Sequence, residues 1–264
     1  MSFSTVTRSQ SVQHPVEQPF QVEFSNGRVA KAIEICQSSD LATMLSRLGL
    51  VEPRPVLVVV GGASQLSEVD FERVRSLFTE IFAPLAERLG LYVVDGGTDA
   101  GVMRMMGLAR QQVKGTFPLI GVVPQGVAIF PNQAPPQEMA APLEAHHSHF
   151  VLTPGFNWGD EAGYLAKIAT RLSDPFPSVS VLINGGEITW VDAAESVSEG
   201  RSIIVIGGSG RAADTLTAAL NGHETDPRAR SLINSGLLQA IDLGDRDQLE
   251  AVLQEILVGL NRGH

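Results

Sequence analysis

The sequence is poor in cysteine and contains no long hydrophobic run. Its 264 residues include one cysteine, Cys36, which excludes an intramolecular disulfide and a cysteine-based metal site. No stretch approaches the roughly eighteen apolar residues of a membrane-spanning helix, and the first residues lack the apolar core of a signal peptide. We therefore expect a soluble protein of the cytoplasm with no membrane partner.

Positive charge is also scarce. Lysine and arginine together number 19, against 29 aspartates and glutamates, which gives a net charge of −10. A nucleic-acid-binding surface needs a basic patch, so we expect no nucleic-acid partner. The composition is compatible with a small anionic ligand held by a few arginines and backbone N–H groups.

The chain does contain a recurring unit, in which a short apolar run ends in glycine and an amphipathic helix follows. Continuous Val/Ile runs are typical of strands buried on both faces of a parallel sheet. Their alternation with helices predicts an α/β fold, with a Rossmann-like, doubly wound, mainly parallel sheet and flanking helices. The predicted strands are 56–60, 91–94, 119–123, 149–152, 179–183, 203–206 and 237–243.

A small N-terminal addition precedes this pattern. Residues 1–18 are predicted to be a disordered lead-in, and residues 19–264 are expected to form one domain. Alternating residues around Asn26-Gly27 predict a β-hairpin over 19–35. Pro84 is expected to kink or shorten one of the helices. Apolar periodicity predicts helices at 41–48, 74–85 and 249–260.

One segment interrupts the repeating pattern. Residues 124–148 contain many prolines and little periodicity, and loops of this length are usually functional or mobile. The segment is therefore either an excursion or a lid. His146 and His147, with nearby His149, resemble a cluster of metal ligands, but no cysteine or suitably spaced carboxylate completes the set. We expect hydrogen-bonding histidines and no metal site.

Four of the predicted strand-to-helix turns are rich in glycine. The carboxyl ends of parallel strands share one edge of a sheet, which is where open α/β proteins bind ligands. Glycine lets the backbone approach a ligand closely, and the N-terminus of the following helix attracts an anion. The candidate ligand-binding residues in these turns are Gly61, Gly62, Gly96, Gly97, Thr98, Gly101, Gly185, Gly186, Thr189, Gly208, Ser209, Gly210 and Arg211.

Phosphate binding is the chemistry expected of these turns. Thr98 and Ser209 carry hydroxyls that can cap a helix or donate to phosphate oxygens, and Arg211 supplies a planar cation suited to phosphate. None of the turns has the spacing of an ATP-hydrolysing P-loop, or that of a Gly-x-Gly-x-x-Gly motif with its downstream acid. The pattern predicts a phosphate-bearing small molecule bound by an unusual Rossmann variant.

Six motifs, taken in order, resemble a known family. They are VVDGGTDAGVMRMMG from residue 93, IGVVPQG from 120, HSHF from 147, WGDEAGYLAKIATRLS from 158, VLINGG from 181 and GGSGRAAD from 207. Together they resemble the N-terminal homology region of melastatin-type TRP channels (TRPM), part of the SLOG superfamily. The likeness covers most of the chain, and the chain is similar to stand-alone prokaryotic TRPM-associated SLOG proteins.

This resemblance implies a Rossmann-like fold that binds a nucleotide-derived ligand such as ADP-ribose, NAD or AMP. We expect no required cofactor. The family's arginine in the Gly-Ser-Gly-Arg turn matches Arg211, and its aromatic residue matches Trp158, which would stack on a base or ribose. Glu161 keeps the family's acidic position. Two positions depart from the pattern: a ligand-contacting arginine is Leu165 here, and a tryptophan is Gln125.

A second resemblance is to the LOG family of nucleotide phosphoribohydrolases, whose hallmark is Pro-Gly-Gly-x-Gly-Thr-x-x-Glu. In the matching stretch the proline is Asn184, the third glycine is Ile188 and the catalytic glutamate is Asp192. If the chain is an enzyme, the resemblance implies a nucleotide N-glycosidase with Asp192 and Glu161 as catalytic residues. Arg171 is then the candidate for the LOG catalytic arginine.

Three functional hypotheses remain open at this point. The favoured one is a module that binds or senses a nucleotide-derived ligand, because the LOG hallmark is altered at three positions. The second is the N-glycosidase. The third is an oligomerisation module with a vestigial pocket, whose interface would be exposed methionine-rich helices. Met103, Met105 and Met106 are more simply explained as core or interface packing than as a cofactor-binding group. A homo-oligomer is compatible with all three.

Overall fold

The computed structural model of the protein describes residues 17–223 and 226–259. All but the last two residues of the predicted lead-in, 1–18, lie outside the described residues, and so does Leu260 at the predicted end of the last helix. The described strands, in chain order, are β1 (Phe20–Glu23), β2 (Val29–Glu34), β3 (Val56–Gly61), β4 (Tyr92–Asp95), β5 (Leu119–Pro124), β6 (Ala128–Ile129), β7 (Ala141–Pro142), β8 (His149–Thr153), β9 (Ser178–Ile183), β10 (Ser202–Gly207) and β11 (Leu238–Asp242).

Nine of these strands form one sheet in the order β1-β2-β8-β5-β4-β3-β9-β10-β11. β1 is antiparallel to β2, and every other neighbouring pair is parallel. The predicted mainly parallel sheet is therefore confirmed. The predicted hairpin is also confirmed, and its strand β2 pairs with β8 to extend the sheet.

The strand order makes the sheet doubly wound. From β3 in the middle, the chain moves through β4, β5 and β8 toward one side of the sheet. It then returns to β9, directly beside β3, and continues through β10 and β11 toward the other side. The neighbouring strands β3 and β9 form the topological switch point, where open α/β sheets bind ligands at the carboxyl ends of their strands.

Helices cover both faces of the sheet. The described α-helices are α1 (Leu41–Leu48), α2 (Glu68–Leu77), α3 (Ala83–Leu89), α4 (Gly101–Gln112), α5 (Ala162–Ser173), α6 (Glu187–Ser198), α7 (Arg211–Leu220), α8 (Pro227–Ile233) and α9 (Arg246–Val258). None of them has the length and apolarity needed to cross a bilayer.

Alternation along the strands explains the continuous apolar runs of the sequence. In β3, Val58 and Val60 pack with α1, α5, α6, α7 and α8 on one face, whereas Leu57 and Val59 pack with α2, α3, α4 and α9 on the other. Successive side chains of a strand point to opposite faces, so a strand covered on both sides needs apolar residues throughout. Met105 and Met106 lie in the second core, 5% and 0% exposed, so they do not form the exposed methionine interface of the oligomerisation hypothesis.

Two helical details differ from the sequence expectation. The helix predicted over 74–85 is divided by a wide π-helical turn, Phe78–Phe82, and Pro84 is the second residue of the helix that follows. Proline has no N–H for the carbonyl four residues earlier, and a wider turn accommodates that gap. Helix α8 was not predicted; it begins at Pro227, where the Asp226 side chain accepts from the Arg228 N–H.

Candidate functional site

A cavity of about 400 Å³ opens at the carboxyl edge of the sheet, beside the switch point. Its volume lies in the range of small-molecule sites. We call it the switch-point cavity. Eight predicted site residues line it: Gly61, Gly96, Thr98, Trp158, Glu161, Gly186, Thr189 and Asp192.

Three helices begin at the switch-point cavity. Helix α4 contributes Ala100, the residue before its first turn, α5 contributes Glu161 in the same position, and α6 contributes Gly186 and its first turn. The first N–H groups of a helix have no acceptor within it, and the helix dipole puts partial positive charge there. Three such N-termini around one cavity favour an anionic ligand.

Asn184 ties together the turns that follow β3, β9 and β10. It is fully buried, and its Nδ2 donates to the Ser64 carbonyl at 3.2 Å and to the Ser209 carbonyl at 2.8 Å. Its Oδ1 accepts the Gly185 N–H at 2.9 Å, and its own N–H donates to Ser209 Oγ at 2.8 Å. The path of the Gly185-Gly186 turn along the cavity therefore depends on Asn184.

Arg211 does not itself line the switch-point cavity, but it lies against Gly186, which does. Its Nη1 donates to Ser64 Oγ at 2.7 Å, and its Nη2 lies 3.0 Å from the position of a Cβ on Gly186. Its hydrogen-bond partner is neutral, and no ion pair compensates its charge within residues 17–223 and 226–259. A permanently charged guanidinium is thus available beside the first turn of α6.

Three of the six described non-glycine residues with a left-handed φ lie near the same edge. Gln65, Asn184 and Arg211 have φ values of 62°, 54° and 53°, in the left-handed region that non-glycine residues rarely occupy. Each such residue costs on the order of 1–3 kcal/mol, and strain of this kind clusters at ligand-binding and catalytic sites. All three lie in turns that follow adjacent central strands of the sheet.

Two carboxyl groups line the switch-point cavity. Glu161 is 6% exposed and accepts the Gly159 N–H at 2.7 Å, and burial raises its pKa. Asp192 is half-buried; burial, together with the nearby carboxylates of Glu161 and Glu195, raises its pKa to about 8. Asp192 is therefore mainly protonated at neutral pH, so it can donate a hydrogen bond and does not repel an anion.

Trp158 and Met139 close one side of the cavity. The indole Nε1 of Trp158 donates to the Met139 carbonyl at 2.9 Å, and Gln137 Nε2 donates to the Phe156 carbonyl at 2.6 Å. These bonds fasten the 124–148 excursion to the loop that precedes α5. The Trp158 ring is half-buried and forms part of the cavity wall.

A second cavity, of about 820 Å³, adjoins the first and shares Gly61, Ala100 and Met103 with it. It lies between α2, the π-helical turn and α4, and Gly62 and Gly101 line it. Two predicted residues therefore face this neighbouring space instead of the switch-point cavity.

The remaining predicted glycines lie behind the cavity. Gly97 has a φ of 67°, and a Cβ there would stand 2.7 Å from the Gly121 Cα, so glycine is needed for close packing against β5. Gly185 packs in the same way against Thr189. Gly208 and Gly210 do not line the cavity, and Gly210 packs against Asn184.

The turn before α7 also lies behind the cavity, where it supports the turn formed by Asn184 and Gly185. Ser209 is fully buried; its Oγ donates to the Ile206 carbonyl at 2.6 Å and accepts the Asn184 N–H. The N–H groups of Ala212 and Ala213 donate to the Gly185 and Asn184 carbonyls at 3.3 and 3.0 Å. This corrects the expectation of free donors here: Ser209, Gly210 and the first turn of α7 hold the Asn184 turn, and Arg211 is the residue of this segment that lies against Gly186 of the cavity wall.

The residues matched to departures from the family patterns do not all lie in the switch-point cavity. Leu165 lines the switch-point cavity, while Gln125 donates to the Ile35 and Leu152 carbonyls. Arg171 is ten residues along α5 from Glu161, about 15 Å at 1.5 Å per residue, and lines a different cavity. The candidate catalytic arginine is therefore not in the site, because α5 runs away from the cavity.

Two residues that shape the candidate site, Met139 and Asn184, were not predicted from the sequence. Met139 lines the cavity from a proline-rich segment that carried no periodic signal. Asn184 was noted only as a departure from the LOG proline. Its position directly before two glycines, with a side chain able to adopt a left-handed φ and bond to nearby backbone, was the available signal.

Comparison with known proteins identifies the family. The sequence profile of the family described as "SLOG in TRPM, prokaryote" matches residues 54–252, well over half of the chain. The X-ray structure of TM1055, a structural genomics target, has a TM-score of 0.50 and covers 77% of this chain and 99% of that chain. At 18% identity this likeness concerns the fold alone.

The curated relatives are TRPM channels. Transient receptor potential cation channel subfamily M member-like 2 from Nematostella vectensis is 25% identical, over 94% of this chain and 19% of the channel. Subfamily M member 2 from Mus musculus is 25% identical, over 72% of this chain and 15% of the channel. The chain thus spans less than a fifth of the length of these channels. From the profile match, the chain belongs to the prokaryotic TRPM-type SLOG family.

Proposed function

We propose that the protein binds a phosphate-bearing, nucleotide-derived ligand, such as ADP-ribose, NAD or AMP, in the switch-point cavity. The observation that carries this proposal is the convergence of three helix N-termini on one cavity of about 400 Å³, with the uncompensated Arg211 guanidinium 3.0 Å from the Cβ position of Gly186 in its wall. Family membership and the SLOG fold give further support, because they indicate a nucleotide-related domain. Cytoplasmic location and a sensing role are parts of the same proposal.

Each wall of the cavity suits a different part of such a ligand. A phosphate fits beside Arg211 and the first turn of α6, where the N–H groups and the guanidinium are. Ribose hydroxyls fit opposite Glu161 and Asp192, which offer an acceptor and, in the protonated state, a donor. The base fits against the Trp158 ring.

Replacing Arg211 with alanine is expected to raise the ADP-ribose dissociation constant at least tenfold, and up to about a hundredfold. A charge-assisted hydrogen bond contributes roughly 1.5–3 kcal/mol, and 1.4 kcal/mol is a factor of ten in affinity. Isothermal titration calorimetry with ADP-ribose, NAD and AMP measures the effect.

Arg88→Ala is the charge-matched control for this prediction. Arg88 is a half-exposed arginine near the end of α3, and it pairs with Glu250 of α9, away from the cavity. The control should bind as the wild type does. Equal affinity of Arg211→Ala and wild type would refute the phosphate role, and a wild type that binds none of the three nucleotides at millimolar concentration would refute the proposed function.

Hydrolysis of the glycosidic bond is the second candidate, and the carboxyl pair favours it. A protonated Asp192 beside Glu161 has the arrangement of an acid and a base in one cavity. Against it, Arg171 lies outside the cavity, and Asn184 has a φ of 54° that the LOG proline could not adopt. Chromatography of AMP and NAD after incubation tests this candidate: free base that disappears in Asp192→Asn and Glu161→Gln would favour the enzyme.

A further inference from the structure

Four titratable side chains are buried together behind the Gly96–Thr98 wall of the switch-point cavity. Asp95 is 0% exposed, Glu144 2%, His147 3% and His146 9%. Asp95 ends β4, directly before Gly96. The other three lie at the end of the 124–148 excursion, and the proposed ligand contacts give them no role.

His147 is the centre of this network. Its Nε2 lies 2.8 Å from Asp95 Oδ1, and its Nδ1 lies 2.8 Å from Glu144 Oε2. The ring also stacks on Phe150, with centroids 5.3 Å apart. One imidazole therefore joins β4 to the excursion through two carboxylates on opposite sides of the ring.

Glu144 secures the excursion side of the network. Its carboxylate lies 2.5 Å from His146 Nδ1 and accepts the His146 N–H at 2.8 Å. A Cβ on Gly107 would stand 2.1 Å from Glu144 Oε2, so glycine in α4 provides the space for this carboxylate. Helix α4 also holds the segment through Arg110, whose Nη1 donates to the His146 carbonyl at 3.0 Å.

Backbone bonds transmit this arrangement to the cavity wall. Asp95 Oδ1 accepts the Gly97 N–H at 2.7 Å, and the Glu144 N–H donates to the Gly97 carbonyl at 3.0 Å. The Asp99 N–H donates to the Pro142 carbonyl at 2.8 Å, and Thr98 forms an antiparallel bridge with Leu143. The turn that contributes Gly96 and Thr98 is therefore fixed on both sides by residues of the network or their neighbours.

His147 and Glu144 are both charged at neutral pH. Burial alone would lower the pKa of His147, but Asp95 and Glu144 outweigh burial and raise it to about 9. Burial alone would raise the pKa of Glu144, but hydrogen bonds from His147 and His146 hold it below its ordinary value. Asp95 Oδ2 is buried with no hydrogen-bond partner within the described residues, so Asp95 depends on His147 for compensation of its charge.

We propose that His147 is a positioning residue of the switch-point cavity: held between Asp95 and Glu144, it fixes the Gly96–Thr98 wall to the 141–148 end of the excursion. His147 does not line the cavity. It sets where Thr98 and Gly96 stand when a ligand binds. The consequence for affinity rests on the proposed function, whereas the ordering of the wall does not.

The test compares His147→Gln with Arg201→Gln. Arg201 is a second buried, hydrogen-bonded cation, 2% exposed, which donates to the Ala166 carbonyl, Thr170 Oγ1 and Ser178 Oγ. It immediately precedes β10, at the amino edge of the sheet, away from the cavity. Both variants are expected to be less stable than the wild type. Only His147→Gln is expected to loosen the Gly96–Thr98 wall.

Two readouts are measured, both 15 °C below the melting temperature of each variant. In His147→Gln, the Gly97 and Asp99 amide protons should exchange at least tenfold faster by NMR, and the ADP-ribose dissociation constant should rise at least tenfold. In Arg201→Gln, neither quantity should change. Glu144→Gln, which keeps the shape of the side chain and removes its charge, replaces His147→Gln if that variant does not fold.

The outcomes separate the two claims. Unchanged exchange at Gly97 and Asp99, or unchanged affinity of a folded variant beside a binding wild type, would overturn the positioning role. Equal effects of Arg201→Gln would also overturn it, because general destabilisation would then explain both readouts. If the wild type binds no ADP-ribose, the proposed function fails, and amide exchange alone decides whether His147 holds the wall.

Discussion

Replacement of Asn184 by proline is expected to lower the free energy of unfolding by at least about 4 kcal/mol. Proline fixes φ near −65°, whereas Asn184 has a φ of 54°. The substitution also removes the N–H that donates to Ser209 Oγ and the amide that donates to the Ser64 and Ser209 carbonyls. The LOG hallmark has proline at this position, so the Gly185-Gly186 turn here follows a backbone path that the hallmark does not permit.

Asn184→Gly is the matched variant for this prediction. Glycine adopts a φ of 54° without strain and keeps the backbone N–H, so only the side-chain hydrogen bonds are lost, for about 2 kcal/mol. Urea unfolding of wild type and both variants, followed by tryptophan fluorescence, measures the difference. A proline variant within about 1 kcal/mol of the glycine variant would contradict the left-handed conformation of Asn184.

Replacement of Asp192 by asparagine is expected to stabilise the protein at alkaline pH. Burial, with the repulsion of Glu161 and Glu195, raises the pKa of Asp192 from 3.8 to about 8. Between these values the folded protein keeps a proton that the unfolded chain has released. Stability therefore falls as pH rises through this window, and asparagine, which does not titrate, removes the loss.

The expected gain is about 2 kcal/mol at pH 8.5, because partial exposure reduces the full linkage value. For a chain of this size that raises the melting temperature by about 4–8 °C. Near pH 4, Asp192→Asn and the wild type should have the same melting temperature. Glu255→Gln, an exposed change on α9, is the control. An equal shift at both pH values, or no shift at pH 8.5, would contradict the burial of an acidic group in the cavity. An acidic group that lowers folding stability while lining a cavity is typical of residues retained for function.

The central strands could be predicted closely because a strand buried on both faces appears in the sequence as one continuous apolar run. The run predicted at 56–60 forms Val56–Gly61, and the one at 179–183 forms Ser178–Ile183. A strand buried on both faces needs apolar residues at every position, and glycine ends it at the ligand edge. Two-residue strands such as Ala128–Ile129 carry no such signal, since long-range packing alone creates them.

The sheet edge at which the candidate site lies could also be predicted. Which residues line the cavity, and which lie behind it, could not. Glycine after a strand indicates a tight turn, and it does not say whether the turn faces a cavity or another turn. That distinction depends on bonds such as Asn184 to Ser64, which joins residues 120 apart, and His147 to Asp95, 52 apart. Ser209 and Gly97 therefore looked equivalent to Thr98 and Gly96 in the sequence, although the first two support the wall and the last two form it.

The most direct test of the central claim is a crystal structure of the protein grown with ADP-ribose. We predict ligand density in the switch-point cavity between Gly96 and Gly186, with a phosphate oxygen within hydrogen-bonding distance of the Arg211 guanidinium. ADP-ribose bound elsewhere on the protein while this cavity stays empty, at a ligand concentration that saturates binding in solution, would contradict the assignment.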